Sequence, residues 1–160
     1  MNVEQRIGIL LKEHGWTLSA AESCTGGRIS HMLTTVSGSS AYYLGSVTSY
    51  AVSVKEKVLG VPASTIDEHG VVSSEVAAAM ADGVRRITSS TFSVATTGLA
   101  EGSDERWPEG TVWIGVSGPA GTFTRIYQTS GDRKHNIRSF TASALLFLEK
   151  TIKNYIKHYK

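Results

Sequence analysis

The sequence predicts an α/β fold, a three-layer type of α/β sandwich on a mixed sheet, and three observations carry that expectation. Helical and strand-like stretches alternate along the 160 residues without a linker or repeat. Some of the strand-like runs are joined through helical stretches, which argues for strands with helical connections in the sheet. Residues 111–128 instead read as a hairpin, which places antiparallel strands in the same sheet.

Taken in order, Val3 to Glu13 forms a first helix with Ile7, Ile9, Leu10 and Leu11 apolar, closed by Gly15 as C-cap. A strand near Trp16 to Ala21 leads into a Ser23 loop and a helix near Gly26 to Val36. A second strand spans Ala41 to Tyr50, and a short helix Val54 to Leu59 follows. Pro62 and Gly70 bracket a loop. Ser73 caps a helix through Ile87, in which Val76, Ala79, Met80 and Val84 share one face. Phe92 to Thr96 is a short strand ending in Thr97-Gly98. Thr111 to Val116 and Thr122 to Gln128 alternate as strands around the turn Ser117-Gly118-Pro119-Ala120-Gly121. Asp132 caps a final helix to about Ile156, with Phe140, Ala144, Leu145, Leu148 and Ile152 on its apolar face.

The chain reads as one globular domain over residues 1–160, with 41% hydrophobic and 19% charged residues. A net charge of +2 and a pI near 8.7 demand no nucleic-acid partner. The one basic cluster, Lys150, Lys153, Lys157 and Lys160, has the spacing of a solvated helix face. No apolar run approaches the ~20 residues that span a bilayer, and the first residues do not read as a signal peptide. Cys24 is the only cysteine, so an internal disulfide is excluded and a reducing cytoplasm is expected. His14, His31, His69, His135 and His158 lie too far apart to suggest a metal site.

Two segments carry candidate chemistry. Ala21-Glu22-Ser23-Cys24-Thr25-Gly26-Gly27 puts a hydroxyl between a strand end and a helix start. Backbone N–H groups there suit a phosphate or an oxyanion. The same residues also fit an ordinary capping turn, with Ser23 or Thr25 as N-cap and Cys24 packed behind the loop. The second segment is Ser49-Tyr50-Ala51-Val52-Ser53-Val54-Lys55. A lysine whose pKa is lowered by burial can deprotonate a serine, and Tyr50 can relay the proton or hold the ammonium. Alone, the segment also fits a surface lysine on a short helix.

The order of Ala21–Gly27, Gly38-Ser39-Ser40-Ala41-Tyr42, Tyr50 with Lys55, and Leu59-Gly60-Val61-Pro62 resembles the CinA C-terminal domain family. The resemblance continues through Glu68-His69-Gly70-Val71-Val72-Ser73, Thr97-Gly98, Gly110 to Gly115 and Gly131-Asp132-Arg133. It implies an amide hydrolase that converts nicotinamide mononucleotide to nicotinic acid mononucleotide and ammonia. Ser23 is then the nucleophile and Tyr50 and Lys55 its assisting pair. Thr25, Gly26, Gly27, Thr97, Gly98 and Arg133 are expected to contact the substrate, a small pyridine nucleotide. No metal or organic cofactor enters that chemistry, neither nucleic acid nor membrane is a partner, and a homo-oligomer stays open.

The chain departs from the family pattern at two places. Where relatives carry Gly-Ile-Ala-Gly-Pro-Gly-Gly, it reads Gly98-Leu99-Ala100-Glu101-Gly102-Ser103-Asp104-Glu105-Arg106-Trp107-Pro108, which replaces glycines by acidic or bulky residues. Between Tyr50 and Lys55 it has Ala51-Val52-Ser53-Val54 in place of Ser-Asn-Glu-Ala. These departures support an alternative, a catalytically silent paralogue kept as a nucleotide-binding or interaction module. Glu22 reads either as a partner of Lys55 or as a structural hydrogen-bond acceptor. Arg133 reads as a phosphate fork or a surface arginine, and Trp107 as a ring-stacking group or a loop anchor.

Overall fold

The computed structural model describes residues 1–160. Five strands, β1 (Leu18–Glu22), β2 (Tyr43–Thr48), β3 (Phe92–Gly98), β4 (Thr111–Gly118) and β5 (Gly121–Gln128), form one sheet of order β2-β1-β3-β4-β5. β1 pairs in parallel with β2 and β3, and β4 runs antiparallel to β3 and β5. The mixed sheet therefore arises as its two kinds of connection require, by helical crossovers first and a hairpin later.

Six helices cover the sheet: α1 (Val3–His14), α2 (Arg28–Thr34), α3 (Val52–Lys57), α4 (Ala63–His69), α5 (Ser74–Thr88) and α6 (Arg133–Tyr159). Two apolar clusters show the layers. On one face Leu18, Ala20, Val94 and Ile114 pack with Ile7 of α1, Ile29 of α2 and Phe140 and Leu148 of α6. On the other, Ala21 and Ala95 pack with Leu59, Ile66 of α4 and Val76, Met80 and Val84 of α5. Neighbouring residues Ala20 and Ala21 thus face opposite cores, as the period of a strand dictates. Both faces of β1 are buried, which explains its short, small-residue sequence. α5 approaches β4 so closely that a Cβ on Gly115 would sit 2.5 Å from the Ala77 carbonyl oxygen, so only glycine fits there.

The structure corrects the sequence reading at several boundaries. Ala63–His69 forms helix α4 where a loop was expected. Pro62 is its N-cap and Gly70, at φ 83°, its C-cap, so the two residues read as loop brackets are helix stops. Its sequence ASTIDEH contributes one buried apolar residue, Ile66, which leaves no periodicity to read. Ser39–Ala41 is a 3-10 turn outside β2. α2 starts at Arg28, because Gly26 and Gly27 take left-handed backbone angles (φ 60° and 103°) that cannot continue a helix.

Candidate active site

β1, β2 and β3 run parallel, so Glu22, Thr48 and Thr96 lie side by side at the same end of the sheet. The turns that leave β1 and β2 at this edge carry Ser23 and Ser49 with Tyr50, and Thr97 lies in the last residues of β3 beside them. Strand C-terminal ends are where open α/β sheets gather ligands. A cavity of about 410 Å³ opens here, lined by Ser23, Tyr50, Lys55, Thr97, Gly98 and Arg133 among others. The remaining expected ligand contacts, Thr25, Gly26 and Gly27, are not on its wall.

Lys55 comes back from α3 into this edge and is 1% exposed. Its Nζ lies 2.8 Å from Ser23 Oγ, 2.7 Å from the Ser49 carbonyl oxygen and 2.9 Å from the Tyr50 carbonyl oxygen. No carboxylate takes part. Burial without a balancing anion disfavours the ammonium and pushes Lys55 down to about 8. A neutral amine suits these partners. Its two N–H bonds satisfy the two carbonyls, and its lone pair is left for the hydroxyl proton of Ser23.

Tyr50 enters this arrangement differently from the sequence expectation. Its backbone carbonyl holds Lys55, while its ring is 61% exposed and its hydroxyl accepts a hydrogen bond from Arg133 Nη2 at 3.0 Å. The phenol contacts neither Lys55 nor Ser23, so proton relay through it has no geometric basis here. Ala51 to Val54, where a polar helper is absent, supplies the first turn of α3.

The free helix N-terminus expected beside Ser23 is also corrected. Glu22, fully buried, turns its carboxylate onto α2 and accepts from the N–H groups of Gly27 (3.2 Å), Ile29 (2.9 Å) and Ser30 (3.0 Å). The Thr25 hydroxyl donates to the same carboxylate at 2.6 Å and lies 2.9 Å from the Thr96 hydroxyl. The Gly26 N–H closes onto the Ser23 carbonyl at 3.1 Å. Thr25, Gly26 and Gly27 therefore shape and anchor the turn, and the N–H groups of both glycines are spent. Cys24 and Thr25 keep backbone N–H groups with no partner in the chain.

Glu22 makes no pair with Lys55; it is the structural acceptor. Replacing it by glutamine puts an NH2 group among buried donors. The expected cost is about 2–4 kcal/mol of stability, read from the urea midpoint. A loss below about 0.5 kcal/mol would show that the turn does not depend on this charge.

Cys24 is buried between the core and the cavity, whose wall it shares with Ser23, and its thiol is pushed up to about 12 by that burial, so it is protonated near neutrality. Thr97 is buried and gives its hydroxyl to the Val71 carbonyl at 2.9 Å, tying β3 to the segment before α5. Trp107 is a loop anchor. Its Nε1 donates to the Val72 carbonyl at 3.0 Å and its ring meets Trp113 edge-on. Arg133, at the start of α6, reaches the cavity mouth between Tyr50 and Glu101.

Two contributors escaped the sequence reading. Ser49 acts through its carbonyl, and main-chain acceptors leave no trace in a motif. Asn136, fully buried on α6, donates to the carbonyls of Ala100 (2.8 Å) and Gly131 (3.1 Å), fixing the loop after β3. A lone asparagine at a core-facing position of an apolar helix was its available signal.

A buried serine–lysine pair at the strand ends of an α/β sandwich defines the class of site. The chain belongs to the CinA C-terminal domain family, whose pattern matches residues 1–152. It is 44% identical over 154 residues to a CinA-like protein of Salinibacter ruber, covering 95% of this chain and 37% of that protein. A CinA-like protein of Geobacter sulfurreducens is 42% identical over 147 residues, covering 90% of this chain and 35% of the relative. The chain thus spans about a third of the length of these relatives. Among solved structures, the competence damage-inducible protein A of Klebsiella pneumoniae superposes with a TM-score of 0.92 at 28% identity, covering 99% of this chain and 97% of that one. A competence/damage inducible protein of Agrobacterium tumefaciens gives a TM-score of 0.89 at 30% identity, covering 94% and 93%. The α/β fold is common to this chain and to both solved structures. No helix is long and apolar enough to cross a membrane.

Proposed function

We propose that the chain is a serine–lysine amide hydrolase acting on the carboxamide of a pyridine nucleotide, nicotinamide mononucleotide being the substrate that the family resemblance names. The observation that carries this reading is the 2.8 Å contact between Lys55 Nζ and Ser23 Oγ beside a cavity of about 410 Å³. Ser23 Oγ attacks the carboxamide carbon as the Lys55 amine takes its proton. The tetrahedral adduct collapses, Lys55 returns the proton to the departing nitrogen, and ammonia leaves a Ser23 ester. Water, deprotonated by Lys55, then releases the carboxylate and restores the hydroxyl.

The oxyanion needs donors close to Ser23, and the unpartnered N–H groups of Cys24 and Thr25 are the nearest in sequence. Gly98 supplies a further one. Leu99 N–H points to Thr111 of β4, and the alternation of an antiparallel ladder turns Gly98 N–H toward the edge that carries Ser23.

A second reading, a silent paralogue that binds nucleotide without turnover, draws support from Glu101, which stands on Arg133 at the cavity mouth. Incubation of the pure protein with nicotinamide mononucleotide separates the two. Ammonia and nicotinic acid mononucleotide in equal amounts support the hydrolase. Binding without either product supports the silent module.

A further inference from the structure

We propose that Glu101 is a specificity-determining residue that competes with a substrate's phosphate for Arg133, weakening the site's hold on phosphorylated amides relative to unphosphorylated ones. The proposal rests on the amide-hydrolase reading above. Four charged side chains line the cavity: Lys55, Glu101, Asp104 and Arg133. Lys55 has spent its Nζ on Ser23 and two carbonyls and offers nothing to an anion. Arg133 is then the one cation left to hold a phosphate.

Its fork already has neighbours on both arms. Nη2 donates to the Tyr50 hydroxyl at 3.0 Å, and Nη1 lies 3.6 Å from Glu101 Oε1. A phosphate that seeks the bidentate geometry guanidinium favours must come in beside the Glu101 carboxylate, which already neutralises part of that charge. The second carboxylate cannot swing aside. Asp104 Oδ1 accepts from the backbone N–H groups of Arg106 (2.8 Å) and Trp107 (2.7 Å). The loop itself is pinned by Trp107 Nε1 on the Val72 carbonyl and by Asn136 on the Ala100 carbonyl. A phosphate dianion therefore meets two carboxylates on a fixed rim, one of them holding its partner. A pyridinium carboxamide without phosphate carries positive charge and meets the same rim favourably.

The side chains of Arg133 and Glu101 are 45% and 67% exposed, so solvent screens the competition and its effect is moderate. The test compares nicotinamide mononucleotide with nicotinamide riboside, which differ by the phosphate alone. Glu101→Gln is expected to raise kcat/KM for the nucleotide relative to the riboside by ~5–10-fold at low ionic strength, and the gain shrinks in about 0.5 M salt. A relative kcat/KM that stays within about twofold of wild type, or a gain insensitive to salt, overturns the proposal. If neither compound yields ammonia, the hydrolase reading fails by itself, and calorimetric titration with ribose 5-phosphate decides this one. Glu101→Gln binding it ~5–10-fold tighter than wild type, with the gain lost in Glu101→Gln/Arg133→Ala, supports the competition. Equal affinities overturn it.

Discussion

Replacing Ser23 with alanine is expected to lower carboxamide hydrolysis by ~10⁵–10⁶-fold, the scale seen when a nucleophile acting as a unit with its base is removed. Nothing nearby takes its place. The adjacent Cys24 is the obvious substitute on sequence grounds, but its thiol is buried and pushed up to about 12, so it carries no useful thiolate near neutrality. The fold should tolerate the change. Ser23 Oγ is hydrogen-bonded only to Lys55, and the main-chain contacts of the turn, Ser23 N–H to Thr96 and Gly26 N–H to Ser23, do not involve the side chain. Ammonia release measures the loss, and mass spectrometry of wild type mixed with substrate and quenched should show an adduct on Ser23. An alanine variant within about tenfold of wild type would remove Ser23 from the mechanism.

How far such a site was legible in the sequence depended on what kind of group did the work. The five strands and the long helices were readable from different signals: β3, buried on both faces, is a short unbroken run, and α5 buries one face with Val76, Met80 and Val84 at helical spacing. α4 was not, because its seven residues bury only Ile66 and its caps look like loop punctuation. Ser23 and Lys55 were legible as residue types at suggestive positions, and parallel pairing of β1 with β2 brings their segments together. What sequence could not assign was the direction of each polar group. Glu22 could face Lys55 or the helix start, and the open N–H groups of Gly27, Ile29 and Ser30 decided for the latter. Tyr50 contributes a carbonyl where its ring was expected to act. The acidic loop read as a departure from the family, but its contact with Arg133 and its anchoring through Trp107 needed the packed structure.

Substituting Lys55 by methionine is expected to lower kcat/KM by ~10³–10⁴-fold, the contribution of a positioned general base, while leaving a folded protein. Methionine matches the length of the aliphatic stem in the same buried channel but cannot accept the Ser23 proton. The pH profile identifies the group. Wild-type kcat/KM should rise with a midpoint near 8, where Lys55 loses its proton in the fold, well below the 10.5 of an ordinary lysine. Stability carries the same signature with a definite sign. Between about 8 and 10.5 the unfolded chain holds this proton and the folded chain does not, so this group's contribution to stability rises with pH across that window. Below about 8 both states are protonated and the burial cost of the ammonium is fully present. Lys55→Met removes the cost, by up to about 3 kcal/mol, and leaves the carbonyls of Ser49 and Tyr50 without their donor, which takes back a similar amount. The net change near pH 7 should therefore be small, while the rise between about 8 and 10.5 flattens, as urea denaturation at several pH values will read. A variant that keeps the wild-type stability profile, or an activity midpoint near 10.5, would mean that Lys55 titrates as a solvated lysine and that the base is another group.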